Sequence, residues 1–94
     1  MPIQSFRHKG LKRLFANGDA RGIPSHLEDR LKDMLAAIET ANSVEDIGLF
    51  PGWRLHALKG DLSGHWSLAV SGNWRIVFRF KDGDAFDVDF VDYH

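Results

Sequence analysis

The stretch Trp66-Ser-Leu-Ala-Val-Ser-Gly-Asn-Trp-Arg-Ile-Val-Phe-Arg-Phe-Lys-Asp-Gly-Asp-Ala-Phe-Asp-Val-Asp-Phe90 decides the fold. Trp66, Leu68 and Val70 alternate with Ser67, Ala69 and Ser71. The same period of two runs through Trp74, Ile76, Phe78 and Phe80 and through Phe86, Val88 and Phe90. Gly and Asn or Asp break the pattern twice, so it predicts an antiparallel meander with one buried face. A two-residue Asp82-Gly83 loop would set Phe78 against Asp87 and bring an acid into the core row. A three-residue loop, Lys81-Asp82-Gly83, pairs Phe78 with Phe86, Ile76 with Val88 and Trp74 with Phe90, and is the expected register. The same reasoning at Ser71-Gly72-Asn73 pairs Val70 with Trp74 and Leu68 with Ile76, with Asn73 in the left-handed position.

Upstream the period changes from 2 to 3.6. Leu11, Leu14 and Phe15 form one stripe between His8 and Asn17, Lys9, Lys12 and Arg13 lie opposite, and Asn17-Gly18 is a stop signal. Ile23-Pro24-Ser25-His26 opens a longer helix, about 25 Å at 1.5 Å per residue, carrying Leu27, Leu31, Met34, Leu35, Ile38 and Ala41. Ser43 is placed to cap a further turn holding Val44 and Ile47. Ile3–Phe6 alternates and suits an edge strand. The expectation is an α+β fold in which two or three N-terminal helices pack on one face of a small, mainly antiparallel sheet. No linker or repeat divides the chain, so residues 1–94 are expected to form a single domain.

Composition narrows the chemistry. The 94 residues include 12 Lys+Arg, 13 Asp+Glu and no Cys, which rules out disulfides and thiolate metal sites. No apolar run approaches the roughly 20 residues that span a bilayer, and no signal segment opens the chain; a cytoplasmic, membrane-free protein is expected. The net charge of -1 conceals an uneven layout. Arg7, Lys9, Lys12, Arg13 and Arg21 make the first block basic, and Arg54, Lys59, Arg75 and Arg79 do the same for residues 54–79. The acids gather on the long helix and in the last strand.

Strand parity sorts the second face of the sheet. If Trp53, Leu55 and Ala57 point into the core, Arg54 and His56 point away, beside Arg75 and with Lys59 in the next loop. That open cationic face suits an anionic substrate, and the tail Asp92-Tyr93-His94 runs out beside it. His56 and His94 could then move protons in cleavage of RNA by its own 2′-hydroxyl, one accepting the hydroxyl proton and the other protonating the leaving 5′-oxygen. Tyr93 is either a stacking platform for a base or an aromatic folded on the core. Asp92 either orients His94 or pairs with Arg75, and Arg75 has Asp89 as an expected cross-strand partner. His8, His26 and His65 read as bystanders. Phosphate-loop, dinucleotide and serine-hydrolase motifs do not occur. No metal or cofactor is called for.

The segments Trp53-Arg-Leu-His-Ala-Leu-Lys-Gly-Asp61, Trp66–Ile76, Gly83–Phe86 and Val91-Asp-Tyr-His94, with the opening Ile3–Leu11, resemble the HigB toxins of bacterial toxin–antitoxin modules, within the RelE/ParE superfamily. The resemblance covers essentially the whole chain. It implies a RelE-like fold and a ribosome-dependent mRNA endonuclease that cuts in the decoding site of the small ribosomal subunit and arrests translation. A HigA-type helix-turn-helix antitoxin would neutralise it and mediate any contact with operator DNA. The family's histidine falls on His56 and its terminal acid, aromatic and histidine on Asp92, Tyr93 and His94. Lys59 and Arg75 match phosphate-contacting positions. Lys9, Lys12 and Arg13, with Arg54, would dock on ribosomal RNA. Ala57 stands where many members carry Pro, and Val91 where an acid is common. ParE-like relatives that bind DNA gyrase lack the His and Asp-Tyr-His set, and a degenerate, purely binding toxin is the third reading.

Overall fold

A four-stranded antiparallel sheet in the order β1-β2-β3-β4 forms from the alternating segments: β1 His56–Ala57, β2 His65–Ser71, β3 Trp74–Lys81 and β4 Asp84–Asp92. The computed structural model describes residues 1–93. Helices α1 (Lys9–Asn17), α2 (Glu28–Thr40) and α3 (Val44–Ile47) precede the sheet, giving the expected α+β order. Leu11, Leu14, Leu31, Met34, Leu35 and Ile38 from the helices share a core with Leu68, Ile76, Phe78 and Val88 from the sheet. The helices thus cover one sheet face and leave the other for the side chains of opposite parity.

The N-terminal segment adds a parallel edge, because Ile3 bridges Ala85 and Phe6 bridges Val88 beside β4. The His8 imidazole caps α1, Nδ1 accepting from the Leu11 amide at 3.1 Å, and Gly18 ends it at φ 69°. A one-turn 3-10 helix at Ser25–Leu27 leads into α2. At α3, Ser43 occupies the cap position but its hydroxyl makes no cap bond. Asp46 reaches back instead and accepts from the Asn42 amide at 3.0 Å. The carboxylate satisfies an amide ahead of the cap, and the expected bond from the Ser43 hydroxyl to the first-turn amides does not form.

Both hairpins correct the expected registers. Lys81 pairs with Asp84 and Phe80 with Ala85, so the loop is Asp82-Gly83, both with positive φ (52° and 86°), as a type I′ turn requires. The acid that argued against this register is removed by a β-bulge. Asp87 takes φ 55°, and the pairing shifts between Val77 and Arg79. Ala85, Val88 and Phe90 therefore face the core, while Phe86 turns out beneath the Arg79 guanidinium, 4.9 Å from its ring centre. Ile76 opposes Phe90 rather than Val88, and Trp74 opposes Asp92. Trp74 still stacks on Phe90 diagonally, at 4.4 Å. In the other hairpin Leu68 does oppose Ile76, but Ser71 pairs with Trp74 across Gly72-Asn73, with Val70 at a bulge. The left-handed residue is Gly72 (φ 55°), not Asn73.

One helix contact depends on the absence of side chains. Gly10 in α1 is buried against Gly22, and a β-carbon at Gly10 would lie 2.5 Å from the Gly22 carbonyl oxygen. Gly10→Ala is expected to cost about 1–3 kcal/mol, since backbone must move to relieve the overlap. Denaturant unfolding of the variant against the parent measures it.

Candidate functional site: a cationic cleft on the open sheet face

Segment 53–57 is less regular than strand parity implies. The Trp53 carbonyl accepts from the Ala69 amide at 2.7 Å, and His56 opposes Ser67. One residue more is therefore spent on this side than on β2, and Arg54 absorbs it at φ 51°. Trp53 is buried and Leu55 packs against the core, but Ala57 is exposed, contrary to expectation. The kink turns both Arg54 and His56 toward the open face.

Arg54, His56, Ser67, Arg75 and Tyr93 line one cleft of about 370 Å³ with Leu55 and Leu58. None of the lining residues is an acid. Arg75 Nη1 donates to the carbonyls of Gly72 (2.9 Å) and Trp74 (3.0 Å), which pins the guanidinium to the hairpin. Its cross-strand neighbour is Val91; Asp89 opposes Val77 and accepts from the Phe90 amide instead, so the expected Arg75–Asp89 pairing does not form. Tyr93 is held by its own amide, which donates to the Asn73 carbonyl at 2.8 Å, and the residue is 39% exposed. The ring thus stands at the cleft wall and is not folded into the core.

Other expected site residues lie apart from this lining. Lys59 is exposed and precedes the 3-10 turn Gly60–Leu62. Asp92 ends β4 opposite Trp74. Lys9, Lys12 and Arg13 are exposed on α1, whose Leu11 and Leu14 face the core. His94 lies outside the described residues. Arg21 is withdrawn from the basic block because it binds Asp19 through Nη2 at 2.8 Å. The Arg21 hydrogen bonds hold the Asp19 carboxyl at about 2, against an ordinary 3.8. This pairing persists above the ordinary value and is lost as pH falls toward 2. In Arg21→Ala, an NMR titration is expected to find the Asp19 value raised but still below its ordinary value, because the amide of residue 21 keeps its bond to Oδ1.

A smaller cleft of about 150 Å³ adjoins across Tyr93, lined by His65, Val77, Asp89 and Val91 among others. Nδ1 of His65 is buried there without a hydrogen-bond partner among the described residues. Among the described residues no three His, Asp or Glu side chains group as a metal site, and no helix is long and apolar enough to cross a membrane.

N-terminal helices followed by a small antiparallel sheet are the arrangement of a RelE-like fold, and the free face of this sheet carries a basic cleft with a histidine. The sequence profile described as the RelE-like toxin of type II toxin-antitoxin system HigB matches residues 4–94. The chain belongs to this family of HigB-like toxins. It is 47% identical over 92 residues to Endoribonuclease HigB of Proteus vulgaris, covering 98% of this chain and 99% of that protein. It is 31% identical over 90 residues to Toxin HigB-1 of Vibrio cholerae serotype O1, covering 95% and 94%.

Proposed function

We propose that this toxin is an endoribonuclease that cleaves mRNA on the ribosome. The observation that carries the reading is the acid-free cleft in which His56 stands with Arg54, Arg75 and Tyr93. An RNA phosphodiester brings negative charge that increases as the 2′-oxygen attacks phosphorus, and fixed guanidinium groups offset that charge without reorganising. In the proposed step the 2′-oxygen bonds to phosphorus and its proton passes to one histidine. The bond to the 5′-oxygen breaks, and the second histidine protonates that oxygen, leaving a 2′,3′-cyclic phosphate and a 5′-hydroxyl. His56 and His94 share these transfers, Asp92 orients His94, and Tyr93 stacks on the nucleotide at the cleavage point. Arg75 and Arg54 hold the phosphate, with Lys59 reaching in from its loop. No cofactor enters the step.

A near-neutral chain binds bulk RNA weakly, so the ribosome presents the message. Lys9, Lys12 and Arg13 on α1 supply a cationic face for ribosomal RNA. The place of action is accordingly the cytoplasm, and residues 1–94 act as one domain. A type II toxin is paired with an antitoxin, here of the HigA helix-turn-helix type, through which alone it meets operator DNA. Induced expression followed by mapping of mRNA 5′ ends tests the reading. Cuts in register with codons are expected. DNA damage without cuts would assign the chain to gyrase instead, and neither effect would leave a purely binding protein.

A further inference from the structure

The hairpin end of the sheet carries a further cleft of about 320 Å³, walled by Arg30, Arg54 and Arg75 with Gly52, Ser71 and Gly72. It shares Arg54 and Arg75 with the His56 cleft, so the two are contiguous. Again no acid lines it. Arg30 comes from α2, among Glu28, Asp29 and Asp33, where its charge is hidden in the sequence. Its Nε donates to the carbonyl of Val70, the residue left unpaired by the bulge between Ala69↔Arg75 and Ser71↔Trp74. The bulge thus frees a carbonyl that ties the long helix's arginine to the hairpin. Arg75 is tied to the same hairpin through Gly72 and Trp74. A guanidinium has five N–H donors in a planar fork, and one anchoring bond leaves most of them for an anion. Gly52 and Gly72 carry no side chain over the opening; a β-carbon at either would meet nothing within 4 Å.

We infer that this cleft is a second phosphate subsite, holding the phosphodiester next to the scissile one on the same RNA strand, with Arg30 as its binding residue. The shared arginines favour the substrate strand over ribosomal RNA, because one continuous backbone passes both clefts. This inference rests on the ribonuclease reading. Tightly spaced phosphates along one strand would then be gripped in sequence, fixing where the 2′-hydroxyl lies relative to His56.

The test measures binding of the full chain, at low salt, to a 2′-O-methylated ApA dinucleotide and to its 5′- and 3′-phosphorylated forms. One phosphorylated form is expected to bind about tenfold more tightly than the bare dinucleotide, as suits a charge-assisted bidentate contact. Arg30→Gln should remove most of that advantage and leave the bare dinucleotide unchanged, and Arg30→Lys, which keeps charge without the fork, should retain part of it. Lys32→Gln, two residues on in the same helix and engaged with Glu28 at 2.7 Å, should keep all of it. Unfolding midpoints establish that each variant is folded. Equal affinity for bare and phosphorylated forms, or an advantage that survives Arg30→Gln, overturns the subsite. So does a loss on Arg30→Gln confined to ribosome binding, which would assign the cleft to ribosomal RNA. These outcomes leave codon-registered cuts in place, whereas failure of the ribonuclease reading removes the cuts themselves.

Discussion

His56→Ala is expected to lower cleavage of ribosome-bound message by about 10²–10⁴-fold, the usual contribution of a positioned proton-transfer group. Growth arrest on induction should disappear with it. The fold should not change. His56 is exposed at the end of a two-residue strand, its backbone pairs with Ser67 whatever side chain it carries, and surface substitutions of this kind stay within about 0.5 kcal/mol. Stability and activity are therefore separable at this position. Single-turnover cleavage, read beside an unfolding curve of the same preparation, measures both. A soluble, folded His56→Ala protein that still arrests growth and cuts at the parental rate removes His56 from the mechanism. Arg75→Ala serves as a contrasting case, because Arg75 also anchors the hairpin through Gly72 and Trp74 and its loss mixes chemistry with local structure.

The largest effect on stability is expected at Phe78. Its ring is fully buried in the row that also holds Leu68, Ile76 and Val88, opposite the bulge at Asp87. Phe78→Ala deletes a ring that neighbouring side chains cannot replace, at a cost of about 3–5 kcal/mol. Domains of this size have about 5–15 kcal/mol of stability in all. Each kcal/mol lowers Tm by about 4–8 °C in a domain of 60–100 residues, so the variant should be largely unfolded or nearly so at growth temperature. Thermal unfolding by circular dichroism is the measurement. Leu49→Ala is the matching control: Leu49 is 80% exposed, and its truncation should leave Tm almost unmoved. A small shift for Phe78→Ala would mean that the core relaxes around the cavity far more than close-packed interiors normally do.

Much of the architecture was readable in the chain. The switch from a 3.6-residue to a two-residue period near Pro51 separated helices from sheet, and the stop at Asn17-Gly18 ended α1 where expected. Parity alone placed Arg54, His56 and Arg75 on one face. The errors are local and share a cause. Counting positions assumes uninterrupted strands, and the chain inserts an extra residue at Arg54, Val70 and Asp87. At Asp87 the insertion is supported from outside the hairpin. The Asp87 amide donates to the Ser5 hydroxyl at 2.8 Å, and its carboxylate takes the Arg79 guanidinium at 3.3 Å. Partners eighty residues away and across the sheet make the left-handed acid tolerable, and no local pattern announces them. Arg30 went unseen for a similar reason, since its acidic neighbours on α2 mark it as part of a solvated helix face.

The sequence by itself determined which segments are helix and strand and which residue types the open face would carry, because periodicity and composition are properties of neighbouring residues. Only the tertiary structure decided the register of the two hairpins, the extra residue absorbed at Arg54, and the meeting of Arg30 with Arg54 and Arg75. Bulges cost ladder hydrogen bonds, and those costs are offset by contacts between residues far apart in the chain. Near-neutral net charge is the plainest case. It is a sum over residues, whereas an anion meets only the few side chains that folding gathers on one face.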